Sequence, residues 1–191
     1  GSCIVIDHVT LKSGTKTLKS GLIGSVLSSE NGFAGCSAGF MTTIRNCVVE
    51  SGVVIGYTGT ENEIGSFAGK LQGTIENCVS SATVRGVNYV GGLVGAKDNA
   101  LGACEITNSN FHGNVEGDSY VGGVAGGPYW GAAAPNAYRL TIAGCKVDGI
   151  VSGKKYVGGI IGGDTKVAQV WNSYSIIGNT FSGTASGNEY V

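Results

Sequence analysis

Few side chains in this 191-residue sequence can carry acid–base, nucleophilic or metal chemistry: there are two His, six Cys and thirteen Asp plus Glu. The cysteines, at 3, 36, 47, 78, 104 and 145, are nowhere spaced as CxxC, which removes a zinc ribbon or a thioredoxin-type redox pair. Cys47, Cys78 and Cys145 fall at one position of an internal repeat, together with Ser109 and Ser173. A position that takes Cys or Ser is small and buried, and either packed free thiols or a Cys47–Cys78 bridge satisfies it. Glu50, Ser81, His112 and Asp148 share a second repeat position. Glycoside hydrolysis needs two carboxyls about 5 to 10 Å apart. Glu50 and Asp148 stand three repeats apart, about 15 Å at the ~4.8 Å spacing of stacked strands, too far for that chemistry. His112 and Asp148 are one repeat apart and can form an ion pair, as can Arg45 and Glu76 on neighbouring rungs of the next column. No spacing here calls for a cofactor or a metal.

What positions these residues is the repeat itself. Ile75 to Gly95, Ile106 to Gly126 and Ile142 to Gly162 align without gaps over 21 positions, at offsets of 31 and 36. A divergent copy opens at Ile44-Arg45-Asn46-Cys47 and closes at Ile64-Gly65-Ser66-Phe67-Ala68-Gly69; a second opens at Val170-Trp171-Asn172-Ser173 and reaches Tyr190-Val191. Within each copy small or apolar residues alternate with polar ones: Cys78, Ser80, Ala82 and Val84 are matched by Ser109, Phe111, Gly113 and Val115, and by Cys47, Val49, Ser51 and Val53. Period two means strand, with that set facing inward. A Gly pair after Tyr-Val marks a corner around a narrow core. A further column reads Asn46, Asn77, Asn108, Gly144 and Asn172; Asn and Gly share tolerance of the left-handed backbone, so it is predicted to be a corner ladder.

A unit of about 31 residues with short strands cannot bury its own apolar face, but stacked copies can. The fold class predicted is all-β, a parallel β-solenoid of about five coils, right-handed by the crossover rule. Residues 1–40 are assigned to an N-terminal cap and degenerate first coil, and 41–191 to the repeats. The 35 Gly then mark tight turning rather than disorder. With 12 basic against 13 acidic residues and no apolar run near 20, neither nucleic-acid binding nor membrane insertion is indicated.

The closing segments Gly92-Leu93-Val94-Gly95, Gly123-Val124-Ala125-Gly126 and Gly159-Ile160-Ile161-Gly162, each preceded by Tyr-Val-Gly, resemble the GLUG motif. The resemblance covers about residues 43 to 191. It departs from the pattern at Ser66-Phe67 and Cys36-Ser37, where Gly and an aliphatic residue are expected. GLUG repeats occur in bacterial surface and secreted proteins, including adhesins and the non-catalytic region of M26-type IgA-specific metallopeptidases. The resemblance implies a non-enzymatic binding or presentation module at a bacterial cell surface or outside the cell. It also implies a segment of a longer chain whose partner is a host or matrix protein or a glycan. It carries no catalytic residue over: peptidase activity needs HExxH, and neither His8 nor His112 opens such a sequence. A carbohydrate-active β-helix enzyme or accessory domain is the alternative. The best ligand-binding candidates are Tyr129, Trp130 and Tyr138, in the longer connection from Gly127 to Tyr138, because insertions in a solenoid emerge as loops and aromatic platforms bind sugars or proteins. Folding back over exposed core is the competing role for that loop.

Overall fold

The computed structural model of the chain describes residues 4–14, 42–56, 60–97, 103–128, 139–163 and 173–191. Every regular element among them is a strand, and every strand pairing is parallel and in register with the next copy. Four complete turns, flanked by partial turns at 4–11 and 173–191, build five sheets. Sheets 1 and 2 hold six strands each, sheet 3 five, and sheets 4 and 5 three each. One turn shows the path: Gly73–Glu76 lies in sheet 1, Val79–Ser80 in sheet 2, Thr83–Arg85 in sheet 3, Asn88–Gly91 in sheet 4 and Val94–Lys97 in sheet 5. The chain is therefore a parallel β-solenoid, as the period-two pattern and the 31-residue repeat require.

Identical positions stack into ladders that form one core. Ile6, Ile44, Ile75, Ile106, Ile142 and Ile176 are aligned rung by rung, and the inner four are fully buried. Sheets 4 and 5 approach so closely that their corner admits no side chain. A Cβ on Gly91 would lie 1.9 Å from the Val94 carbonyl oxygen, and one on Gly95 2.4 Å from the backbone of Glu63 and Ile64. The closing motif is thus a contact of backbone on backbone, and its glycines are there for space. Gly92 leaves room for the Phe111 ring of the next coil, Gly123 for Val147 and Gly159 for Phe181. The departure at Ser66 obeys the same rule: it aligns with Gly92, and the residue that aligns with Phe111 one coil earlier is the small Ser80.

Two register assignments differ from the sequence reading. The last copy opens at Ile176-Ile177-Gly178-Asn179, because Ile142 pairs with Ile176 and Ala143 with Ile177. Gly178, at φ +64°, therefore stands where Asn172 was expected, and Asn179 stands where Ser173 was; Ser173 instead pairs with Arg139, and Asn172 lies outside the described residues. The true offset of 34 runs without a gap to Tyr190-Val191, whereas matching on Asn identity forced an insertion inside the coil. In the second copy, Val54 pairs with Thr83, so Val53 is the inward partner of Ala82; Ser51 is exposed in a two-residue turn with Gly52 at φ +83°. Within 1–40, Ile4–Asp7 and Thr10–Leu11 pair in register with Thr42–Arg45 and Val48–Val49, making them an outer rung of the solenoid.

Candidate functional site

Each candidate residue is placed by a ladder, and the ladders differ in what they can do. The corner ladder reads His8, Asn46, Asn77, Asn108, Gly144 and Gly178, with φ between +48° and +64°. Asn46 Nδ2 donates to Asp7 Oδ1 at 3.0 Å. That bond, with the Arg45 guanidinium 2.8 Å from Asp7 Oδ2, holds the Asp7 carboxyl below its ordinary range. Arg45 thus engages Asp7 on the preceding rung rather than Glu76 on the following one.

After the corners at Asn46, Asn77 and Gly144 the next residue turns inward, and its backbone N–H reaches a side chain one coil further on. Cys47 N–H donates to Cys78 Sγ at 3.5 Å, Cys78 N–H to Ser109 Oγ at 3.0 Å, and Cys145 N–H to Asn179 Oδ1 at 2.8 Å. The same side chains donate back to carbonyls: Cys78 Sγ to Glu76 O at 3.3 Å, Ser109 Oγ to Thr107 O at 2.8 Å and Asn179 Nδ2 to Ile142 O at 2.8 Å. The column requires a group that both accepts and donates, which explains Cys, Ser and Asn in one position more fully than small size does. Cys47, Cys78, Cys104 and Cys145 are buried free thiols. Loss of hydration pushes the Cys78 and Cys104 thiols up to about 12 and raises Cys145 too. These are poor nucleophiles. Cys3 and Cys36 lie outside the described residues.

The outward faces are organised by charge. Asp148 and His112 meet on adjacent rungs, with His112 Nδ1 2.7 Å from Asp148 Oδ1, and Ser81 occupies the rung before them. Glu50 remains three rungs from Asp148 in this column, so the two carboxyls are not a hydrolytic pair. Arg85 Nε donates to Glu116 at 2.9 Å; Lys154 reaches Asp118 at 2.8 Å and Lys155 reaches Glu189 at 3.0 Å. The Glu189 partner raises the Lys155 pKa. All are half-exposed pairs between neighbouring coils, and solvent screens most of their attraction. Glu63 and Lys70 form a 3.0 Å pair whose side chains are only 10% exposed.

The sequence reading treated the Tyr of Tyr-Val-Gly as part of a motif and assigned it no role. In the fold, Tyr89, Tyr120, Tyr156 and Tyr190 stack face to face, with ring centroids 4.7, 4.8 and 4.8 Å apart. All four have φ between +54° and +57°. Their repetition at one position was the available signal; the left-handed backbone was not visible, since Tyr is a poor indicator of it. Tyr129, Trp130 and Tyr138 fall outside the described residues. Pro128, which leads into that segment, borders an open hollow of about 170 Å³ shared with Ile161, Gly163, Tyr174 and Ile176. Among the described residues, no three His, Cys, Asp or Glu side chains are grouped to hold a metal ion, and no helix is long and apolar enough to cross a membrane.

These ladders define a class, a parallel β-solenoid whose coils are locked by matched inward, corner and charged columns. Comparison with family models, curated proteins and solved structures returned no match for this chain.

Proposed function

We propose that this chain is a non-enzymatic binding or presentation module of a bacterial cell-surface or secreted adhesin-like protein, the role its GLUG-type segments imply. The observation that supports it most is how the outward charges are used. They pair from rung to rung, at His112–Asp148, Arg85–Glu116, Asp118–Lys154 and Lys155–Glu189, and so serve the stack. What such a rod offers a partner is its connections. The Gly127–Tyr138 segment carries Tyr129, Trp130 and Tyr138 in its sequence, and this chemistry fits a glycan or a host or matrix protein. Arrays of matrix proteins and host glycans probed with the purified chain test this reading. Binding that Trp130→Ala abolishes at an unchanged melting temperature supports it. A fall in melting temperature with binding retained assigns the loop to packing and overturns the site.

A second reading, a carbohydrate-active β-helix enzyme, draws on the His112–Asp148 contact with Ser81 on the preceding rung. Release of reducing or unsaturated sugar from a polysaccharide panel, lost in His112→Ala, would establish it in place of the first. If the chain is instead the non-catalytic region of a surface peptidase, its reading frame encodes an HExxH helix elsewhere.

A further inference from the structure

We infer that Tyr89, Tyr120, Tyr156 and Tyr190 form an oxidative cross-linking site, at which one-electron oxidation of neighbouring phenols joins successive coils through dityrosine bonds. A side chain held in the left-handed region is strained, because its Cβ crowds the following carbonyl oxygen. The Asn, Gly and His corner ladder meets that geometry largely with residues that tolerate it, whereas this ladder places a bulky ring there in four successive coils. The ring stack offsets the strain. Stacking alone is served equally by Phe, which fills the buried core positions 67 and 111, but each of the four stacked rings carries a phenol; the coil before them places Glu63, at φ +56°, in the same column.

The geometry then supplies proximity. Interplanar angles of 11°, 3° and 3° at 4.7–4.8 Å place the ring carbons of one Tyr over those of the next. Backbone hydrogen bonds fix the rungs: Ile64 N–H donates to Tyr89 O, Tyr156 N–H to Glu189 O and Val157 N–H to Tyr190 O. Tyr190 is 68% exposed and its three partners are half-buried, so a bulky oxidant enters at Tyr190 and the radical passes inward along the stack. The buried thiols of Cys78, Cys104 and Cys145 compete poorly, because burial keeps them protonated. With hydrogen peroxide as oxidant and a peroxidase as catalyst, each of two phenols loses one electron and one proton. The two phenoxyl radicals form a C–C bond between carbons ortho to the oxygens, and each displaced ring hydrogen returns to its oxygen. Two tyrosines and one peroxide give one dityrosine and two waters. Joining the rings requires one to tilt out of the stack, which Tyr190 does most freely.

The test is peroxidase and hydrogen peroxide on the dilute full chain, read by dityrosine fluorescence and by mass-spectrometric sequencing of the digested monomer. Expected are links 156–190, 120–156 and 89–120, each two hydrogens lighter than the unlinked peptides, with 156–190 the most abundant. Tyr120→Phe keeps the ring stacked and removes two of the three links, and Tyr190→Phe removes the 156–190 link. Either variant suffices if the other fails to fold. Links confined to Tyr57, Tyr129, Tyr138 or Tyr174, links only between molecules, or a Tyr120→Phe protein that still joins 89 to 156 without loss of yield would overturn the inference.

Discussion

Adding one methyl group at two equivalent glycines should have unequal, separable consequences. At Gly159, the nearest atoms a Cβ would meet belong to the Phe181 ring, at 2.4, 2.5 and 2.7 Å. At Gly92, it would meet the Phe111 ring at 2.5 Å and also the Gly123 carbonyl oxygen at 2.1 Å. Carbon contacts are attractive near 3.5–4.0 Å, so both sites must yield by more than 1 Å or so. At Gly159 a partly exposed side chain can yield, and Gly159→Ala should cost about 1–3 kcal/mol. Truncating Phe181 as well should recover at least about 1 kcal/mol of that, within the range for side chains in contact. At Gly92 the opposing Gly123 carbonyl lies between two that accept backbone hydrogen bonds, from Gly92 N–H to Gly122 O at 3.1 Å and from Leu93 N–H to Val124 O at 3.0 Å. Moving it forfeits these bonds at about 1 kcal/mol each, on top of the overlap, for a total of about 3–5 kcal/mol. Phe111→Ala should therefore leave at least about 2 kcal/mol of the Gly92→Ala penalty in place, the worth of those two bonds. Urea unfolding of the four single and two double variants measures both couplings. Equal rescue at the two sites, or a Gly92→Ala protein within about 0.5 kcal/mol of the parent, the range of ordinary surface substitutions, would refute the backbone-contact account of the motif.

Removing the acceptor in Ser109→Ala strands the buried Cys78 N–H and should cost about 1–3 kcal/mol, whereas Ser109→Cys, already the usage of three other coils, should shift the urea midpoint by less than half as much. Because the fold keeps Cys78 and Cys104 protonated up to about 12 while the unfolded chain loses those protons near 8.5, their contribution is complete below that pH and lost above it. Stability measured from pH 9 to 11 should fall by up to about 1.4 kcal/mol per unit for each such thiol, and Cys78→Ser should flatten the slope. Arg85→Glu sets like charges on adjacent rungs against Glu116 and should lower stability by up to about 1 kcal/mol in dilute buffer; the loss should shrink in 1 M salt, where screening acts within about 3 Å.

The strands and their inward faces were legible in the sequence because a repeat that buries one face leaves a period-two record at each rung. Cys78, Ser80, Ala82 and Val84 are buried as that pattern requires. The Asn46, Asn77, Asn108 and Gly144 corner was legible for a similar reason, since only a few residue types tolerate its backbone. The same reasoning misplaced the last corner: identity favoured Asn172, while the backbone requirement is met equally by Gly178. Ser51 was misread because a two-residue turn shifts the register without disturbing the local alternation. The outward columns were only half legible. Position placed His112 beside Asp148, but the choice of Asp7 over Glu76 as the partner of Arg45 depends on side-chain reach across the stack.

By itself, the sequence determined that this chain stacks: spaced copies, alternating strands, tolerant corners and glycines at constant stations leave a parallel β-solenoid as the arrangement that buries its apolar residues. Tertiary structure decided what each column is for. Whether Gly92 is kept for its own backbone or for the Gly123 carbonyl 2.1 Å from where a Cβ would stand, whether Cys and Ser share a site for their size or for the N–H of the coil before, and whether four tyrosines stack are all settled by atoms about 31 or more residues away in sequence. A single repeat does not contain those atoms; they are supplied by the coil above or below it.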